Sequence, residues 1–206
     1  MGFSRGLNSV SNRGSMVGLA LVSVLVILTA AALAEETVTL GEYNVSFDLG
    51  SYTGYELSFE EVPYATVDGE KYPSHVCWIE GDKMMMIALT DYGVSMAATS
   101  SLTRRAVTSY LNDAECTNIQ THEVQIDGKP AILGLGSRPS GDVLVCAVYW
   151  PDIHDVNGTL YGQVDCTIAS EASVELTEML LNSISVRVPG EEPVMEVRSE
   201  SDRIEL

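Results

Sequence analysis

From Thr37 to Ala169, short segments alternate polar and apolar residues with a period of two, the pattern of strands with one buried face. Thr37 to Leu49 alternates as far as the turn-forming Gly50-Ser51-Tyr52-Thr53-Gly54, and Tyr55 to Val62 resumes, which predicts a hairpin. Pro63 to Pro73, with Asp68-Gly69 inside it, reads as a loop. Ser74 to Ile79 and Met84 to Thr90 then pair across Glu80-Gly81-Asp82-Lys83, where Gly81-Asp82 suits a tight turn. Three further strands, Thr117 to Ile126, Lys129 to Ser137 and Asp142 to Trp150, are joined by Asp127-Gly128 and by Arg138-Pro139-Ser140-Gly141. After a polar loop from Pro151 to Thr159, Leu160 to Ala169 sets Leu160, Val164, Cys166 and Ile168 on one face. Tyr161, Gln163, Asp165 and Thr167 fall on the other, which predicts one buried and one wet side.

The period changes twice. Leu102, Ala106, Val107, Tyr110 and Leu111 share one face of a helix that Thr99 or Ser100 can cap. Glu171 to Ile184 carries Ala172, Leu176, Met179, Leu180 and Ser183 on one stripe, and Glu171, Glu175 and Glu178 lie toward its positive end. Strands, helix, antiparallel strands and helix in that order predict an α+β fold: a largely antiparallel sheet of about seven to eight strands covered by two helices. One such domain fills residues 35–188.

The two ends fall outside this pattern. Arg5 and Arg13 precede a nearly unbroken apolar run from Val17 to Leu28, and Ala32-Leu33-Ala34 fits a small-residue cleavage site, so Met1 to Ala34 reads as a secretion signal. The competing reading is an uncleaved anchor, because the 19 residues from Met16 to Ala34 are about enough to cross ~30 Å of hydrocarbon. Residues 189–206 hold six acidic residues and two arginines with little apolar content, which predicts a flexible acidic tail. The expected location is secreted or extracytoplasmic, held at the cell surface if the leader stays.

Charge narrows the partners. All 29 acidic residues and nine of the 11 basic ones follow the leader, giving −20 without it. Nucleic acid is excluded, and a membrane is reached only through the N-terminal segment. An unknown protein or small ligand is left as the partner. Cys77, Cys116, Cys146 and Cys166 have no C-x-x-C spacing, and an even number of cysteines in an exported chain predicts two disulfides among three possible connectivities.

No motif of catalysis stands out. G-x-S-x-G is absent, and Gly134-Leu135-Gly136-Ser137 continues into Arg138-Pro139 without the spacing or the helix that a phosphate loop needs. No cofactor is therefore expected. Asp152, His154, Asp155 and Asn157 crowd one loop as weak candidate metal ligands, although an EF-hand register set by Gly158 puts Ile153 and Val164 at its first and last positions. A two-residue turn at Gly81-Asp82 would set Cys77 opposite Met86 with His75 nearby and Met84 on the same strand, a set of soft ligands. His122 has no partner motif. Asn44 and Asn157 head N-glycosylation sequons that export would make usable.

Hairpin, helix, the Gln125-Ile126-Asp127-Gly128-Lys129-Pro130-Ala131 turn, an antiparallel run and a closing helix ending Leu181-Asn182-Ser183-Ile184-Ser185-Val186 together resemble the Mog1/PsbP-like fold over roughly Val38 to Val188. The resemblance implies an α/β/α sandwich of binding, accessory or assembly proteins generally without a catalytic centre. Its long loops, four cysteines and extended N-terminal hairpin depart from the simplest form of that family. Three functions follow as expectations: an exported non-catalytic binding or accessory domain, a calcium- or copper-responsive surface protein, and an enzyme whose site is built from distant residues.

Overall fold

The computed structural model describes residues 35–65, 71–187 and 203–206; the leader, most of the tail and the Asp68-Gly69 turn lie outside them. The fold is α+β and mostly antiparallel. An eight-stranded sheet has the order β3-β4-β5-β10-β8-β7-β6, with β9 paired to one end of β10. Its strands are β3 (Glu56–Ala65), β4 (Lys71–Glu80), β5 (Met84–Ala97), β6 (Thr117–Ile126), β7 (Lys129–Ser137), β8 (Val143–Tyr149), β9 (His154–Val156) and β10 (Thr159–Ser170). A three-stranded sheet has β2 (Tyr43–Phe47) between β1 (Glu36–Leu40) and β11 (Ser185–Arg187). Helix α1 (Ser100–Asp113) covers β7 and β8 on one face, while α2 (Val174–Ser183) and the small sheet close the other.

The Asp127-Gly128 turn forms as expected, with φ of 54° and 68° at its two residues. Thr99 caps α1, its hydroxyl accepting from Leu102 N at 3.2 Å. Three expectations fail for local reasons. Gly41 at φ 61° folds Thr37 to Leu49 back on itself, so β1 pairs with β2, and β3 pairs with β4 instead. The loop between β4 and β5 holds three residues, not two, which sets Cys77 opposite Ile87 and Trp78 opposite Met86. A slip of one residue turns a strand's side chains over. Cys77 and Met86 therefore belong to different clusters on opposite faces, and the soft-ligand set does not assemble. In α2, Met179 is exposed and Leu181 is buried in its place, while Glu171 precedes the helix and pairs with Arg138 at 2.7 Å.

The last residues of the tail pack on the domain. Ile204 is buried in the main core, and its backbone N–H and C=O bond the Asn182 side chain at 2.7 and 3.0 Å. Leu206 N donates to Glu178 at 2.6 Å. An apolar residue with two amide bonds on either side of it is enough to dock a segment whose composition is otherwise that of a loose chain.

Candidate functional site

Helix α1 stops short of one end of the sheet. Gly134 and Gly136 on β7 seat it: a Cβ at Gly134 would lie 2.4 Å from Val107 and 2.9 Å from Leu111, and one at Gly136 would lie 2.6 Å from the Cβ of Cys116. The Gly-Leu-Gly run is thus a landing strip for α1 and the residues after it. Beyond the first turn of α1, the same face of β6 and β7 is left open at Glu123, Gln125 and Pro130, with Ile132 buried at its edge. Ile153 and the β9–β10 turn at Gly158, Thr159 and Leu160 form the facing wall. Ala98 and Trp150 close the inner end, and Thr99, Ser100 and Thr103 border it from the helix. The result is a cleft of about 630 Å³, within the range of small-molecule sites.

Trp150 connects the cleft to the interior. Its indole Nε1 donates to Thr103 Oγ1 at 3.2 Å, fixing the inner wall to the start of α1. Gly162 leaves it room, since a Cβ there would meet the indole ring at 2.7 Å. Tyr92 stacks on Trp150 with centroids 5.5 Å apart, and Tyr72 meets Tyr92 edge-on at 5.1 Å. The Tyr92 hydroxyl donates to Asp165 Oδ2 at 2.5 Å. Asp165 faces Thr90 across the strand pair, and Thr90 donates onward to Ser74 at 3.2 Å. Burial pushes the Asp165 carboxyl from 3.8 up to about 6, against the opposing pull of the Tyr92 and Thr90 hydroxyls. Alternation along β10 predicts this residue on a wet face. The structure buries it, at 6% exposure, because the neighbouring strands and Tyr92 pack over it.

The candidate ligands of the 152–157 loop point to different backbone groups. Asp152 turns inward and accepts from Gln163 N at 2.7 Å and Val164 N at 3.2 Å, at the bulge where β10 has lost its regular pairing. Asp155 accepts from Gly158 N at 2.7 Å, and Asn157, at φ 55°, forms the β9–β10 turn. His154 Nδ1 lies 3.2 Å from the Asp152 carbonyl oxygen. Both carboxylates are thus committed to turn geometry, and no metal-holding cluster occurs among the described residues. His75 sits under Gly41 beside Glu61, and His122 is exposed on β6. Asn44, exposed on β2, accepts from Thr39 at 3.1 Å; both sequon asparagines lie at the surface.

The expected two disulfides are not formed, and all four cysteines are free and buried. Topology explains it. Cys77 and Cys166 share the main-core face but have β5 between their strands, a lateral separation of ~9.6 Å, beyond the ~7 Å that a bridge spans. Cys116 and Cys146 lie in the cluster under α1, on the other side of the sheet. No two-bridge pairing fits this arrangement. Burial pushes the Cys77 thiol up to about 12 and raises Cys146 and Cys166 as well. Burial also raises Cys116, against the nearby Arg138. Reaction of the unreduced protein with an aromatic disulfide reagent at pH 8 is therefore expected to label at most one thiol, Cys116, in the native state and all four in guanidinium. Fewer than four in guanidinium would mean that bridges exist.

The cleft draws on the β5–α1 junction, α1, β6, β7, the segments on either side of β9 and the start of β10, so no contiguous motif marks it. Trp150, a large aromatic just past the end of a central strand, is the sequence signal that lines it. Compared with protein-family models, curated proteins and solved structures, the chain matches none.

Proposed function

We propose that this chain is an exported, non-catalytic binding or accessory domain whose ligand enters the cleft at the head of α1. The observation that carries the reading is the composition of that cleft: hydroxyl, amide and carboxylate groups surround an apolar floor, and no histidine or cysteine is among the residues that line it. Thr103, the most buried hydroxyl there, is already bonded to Trp150 and to the Thr99 carbonyl. A site of this kind holds a molecule without supplying a nucleophile and base within reach of each other. Export rests on the leader, Met1 to Ala34, and the accessory role agrees with the resemblance to the Mog1/PsbP-like fold, whose helices cover both faces of a sheet as α1 and α2 do.

Thr159→Trp, which fills the exposed mouth of the cleft without touching the core, is expected to abolish ligand uptake and leave the thermal unfolding midpoint within a degree or two. Turnover of hydrolase or transferase substrates by the wild type, lost in the same variant, would overturn the non-catalytic reading.

A further inference from the structure

Building on the cleft as the binding site, we propose that its ligand is a neutral polyhydroxylated ring, a monosaccharide or short glycan. Three observations converge on this class. The first is charge. No lysine, arginine or histidine is among the residues lining the cleft, and the nearest guanidinium, Arg104, is already shared between Thr121 and Glu123. An anionic ligand would meet no counter-charge there and would approach a chain of net charge −18. A cationic ligand fares little better, because Glu123, the carboxylate at the rim, is held by Arg104 at 3.1 Å.

The second is the arrangement of polar groups. Among the described residues, Ser100, Gln125 and Thr159 come from three sides of the cleft and bring side-chain groups that the fold's own hydrogen bonds leave unused. Two hydroxyls and an amide can each donate and accept, which matches a ligand whose hydroxyls do both. The third is the floor, where Pro130 and Leu160 offer a surface for the C–H face of a pyranose. A purely apolar guest would strand the three polar groups, and a purely polar one would waste the floor. A volume of about 630 Å³ admits one or two such rings.

The test is saturation-transfer NMR on the full chain with methyl hexopyranosides, N-acetylhexosamines, maltose and cellobiose, run beside citrate, inorganic phosphate and choline. At least one neutral sugar is expected to bind saturably at or below about 1 mM. Gln125→Ala should weaken it about five-fold, and Thr159→Trp should abolish it. If citrate, phosphate or choline binds instead and Thr159→Trp blocks it, the sugar assignment is overturned and the cleft stands. A sugar that binds Thr159→Trp as well as wild type overturns the cleft itself. Absence of binding by every probe overturns the sugar assignment alone, leaving the cleft to the mouth-filling test on its own.

Discussion

Asp165→Asn is expected to raise stability at pH 7 by about 3 kcal/mol, and to do nothing below about pH 4. Asp165 is buried, and its carboxyl titrates at about 6 when folded against 3.8 in its ordinary state. A shift of that size is worth about 3 kcal/mol. Between these values the folded chain binds more protons than the unfolded one, so stability is fully present below about pH 4 and is lost as pH rises through 6. Asparagine removes the charge and keeps an oxygen to accept from the Tyr92 hydroxyl. Urea denaturation of both chains from pH 3.5 to 8 isolates the effect, because the large acidic surface is common to the two and cancels in their difference. A constant difference across that range would show that Asp165 titrates alike in the folded and unfolded states, with no upward shift on folding. Tyr92→Phe should act oppositely, losing about 1–3 kcal/mol by leaving Oδ2 without its donor.

That the position needs a structure to be seen follows from how strands carry information. Alternation reports which residues share a face, and it placed Asp165 correctly opposite Val164 and Cys166. It does not report what covers that face, and β10 is a central strand with neighbours on both sides. Where turn chemistry is local and complete, the reading holds to the residue: β6 and β7 run from Thr117 to Ile126 and from Lys129 to Ser137 on either side of Asp127-Gly128. Where one residue interrupts a continuous pattern, as Gly41 does between β1 and β2, the period survives on both sides and hides the turn. The three-residue loop after Glu80 shifts a register for the same reason.

Cysteine counting failed differently. It infers bridges from compartment and parity, but bridging needs Cα atoms within reach, and the sheet keeps Cys77 and Cys166 apart by a strand and both of them from Cys116 and Cys146 by its own thickness. Deep burial also makes these thiols poor reactants, since it suppresses the reactive thiolate. The cleft was the least legible feature, because each element contributes only one to three of its residues. The weak metal candidates were legible as a polar loop, and their actual use, holding the β10 bulge and the β9–β10 turn, is the commoner task of such side chains.

The largest loss of stability is expected at Gly134, and its consequences reach the cleft. Gly134 has no left-handed backbone to protect; what it supplies is space, with Val107 and Leu111 of α1 filling the position where a side chain would stand. Both are fully buried, so neither can swing into solvent, and α1 must lift from β7 to admit even a methyl group. Gly134→Val should therefore cost about 3 kcal/mol, the upper part of the range for overpacking a core. Lifting α1 also pulls Thr103 from the indole of Trp150, so the fluorescence of the folded variant should shift and sugar binding should fall with it. Size exchange separates this from a general loss of fold. In the Gly134→Ala, Val107→Ala double variant the new methyl enters the volume that Val107 vacates, and the two costs should sum to about 1–2 kcal/mol more than the measured loss. If Val107→Ala gives no relief, α1 does not rest on Gly134, and the depth of the cleft at its head is set by something else.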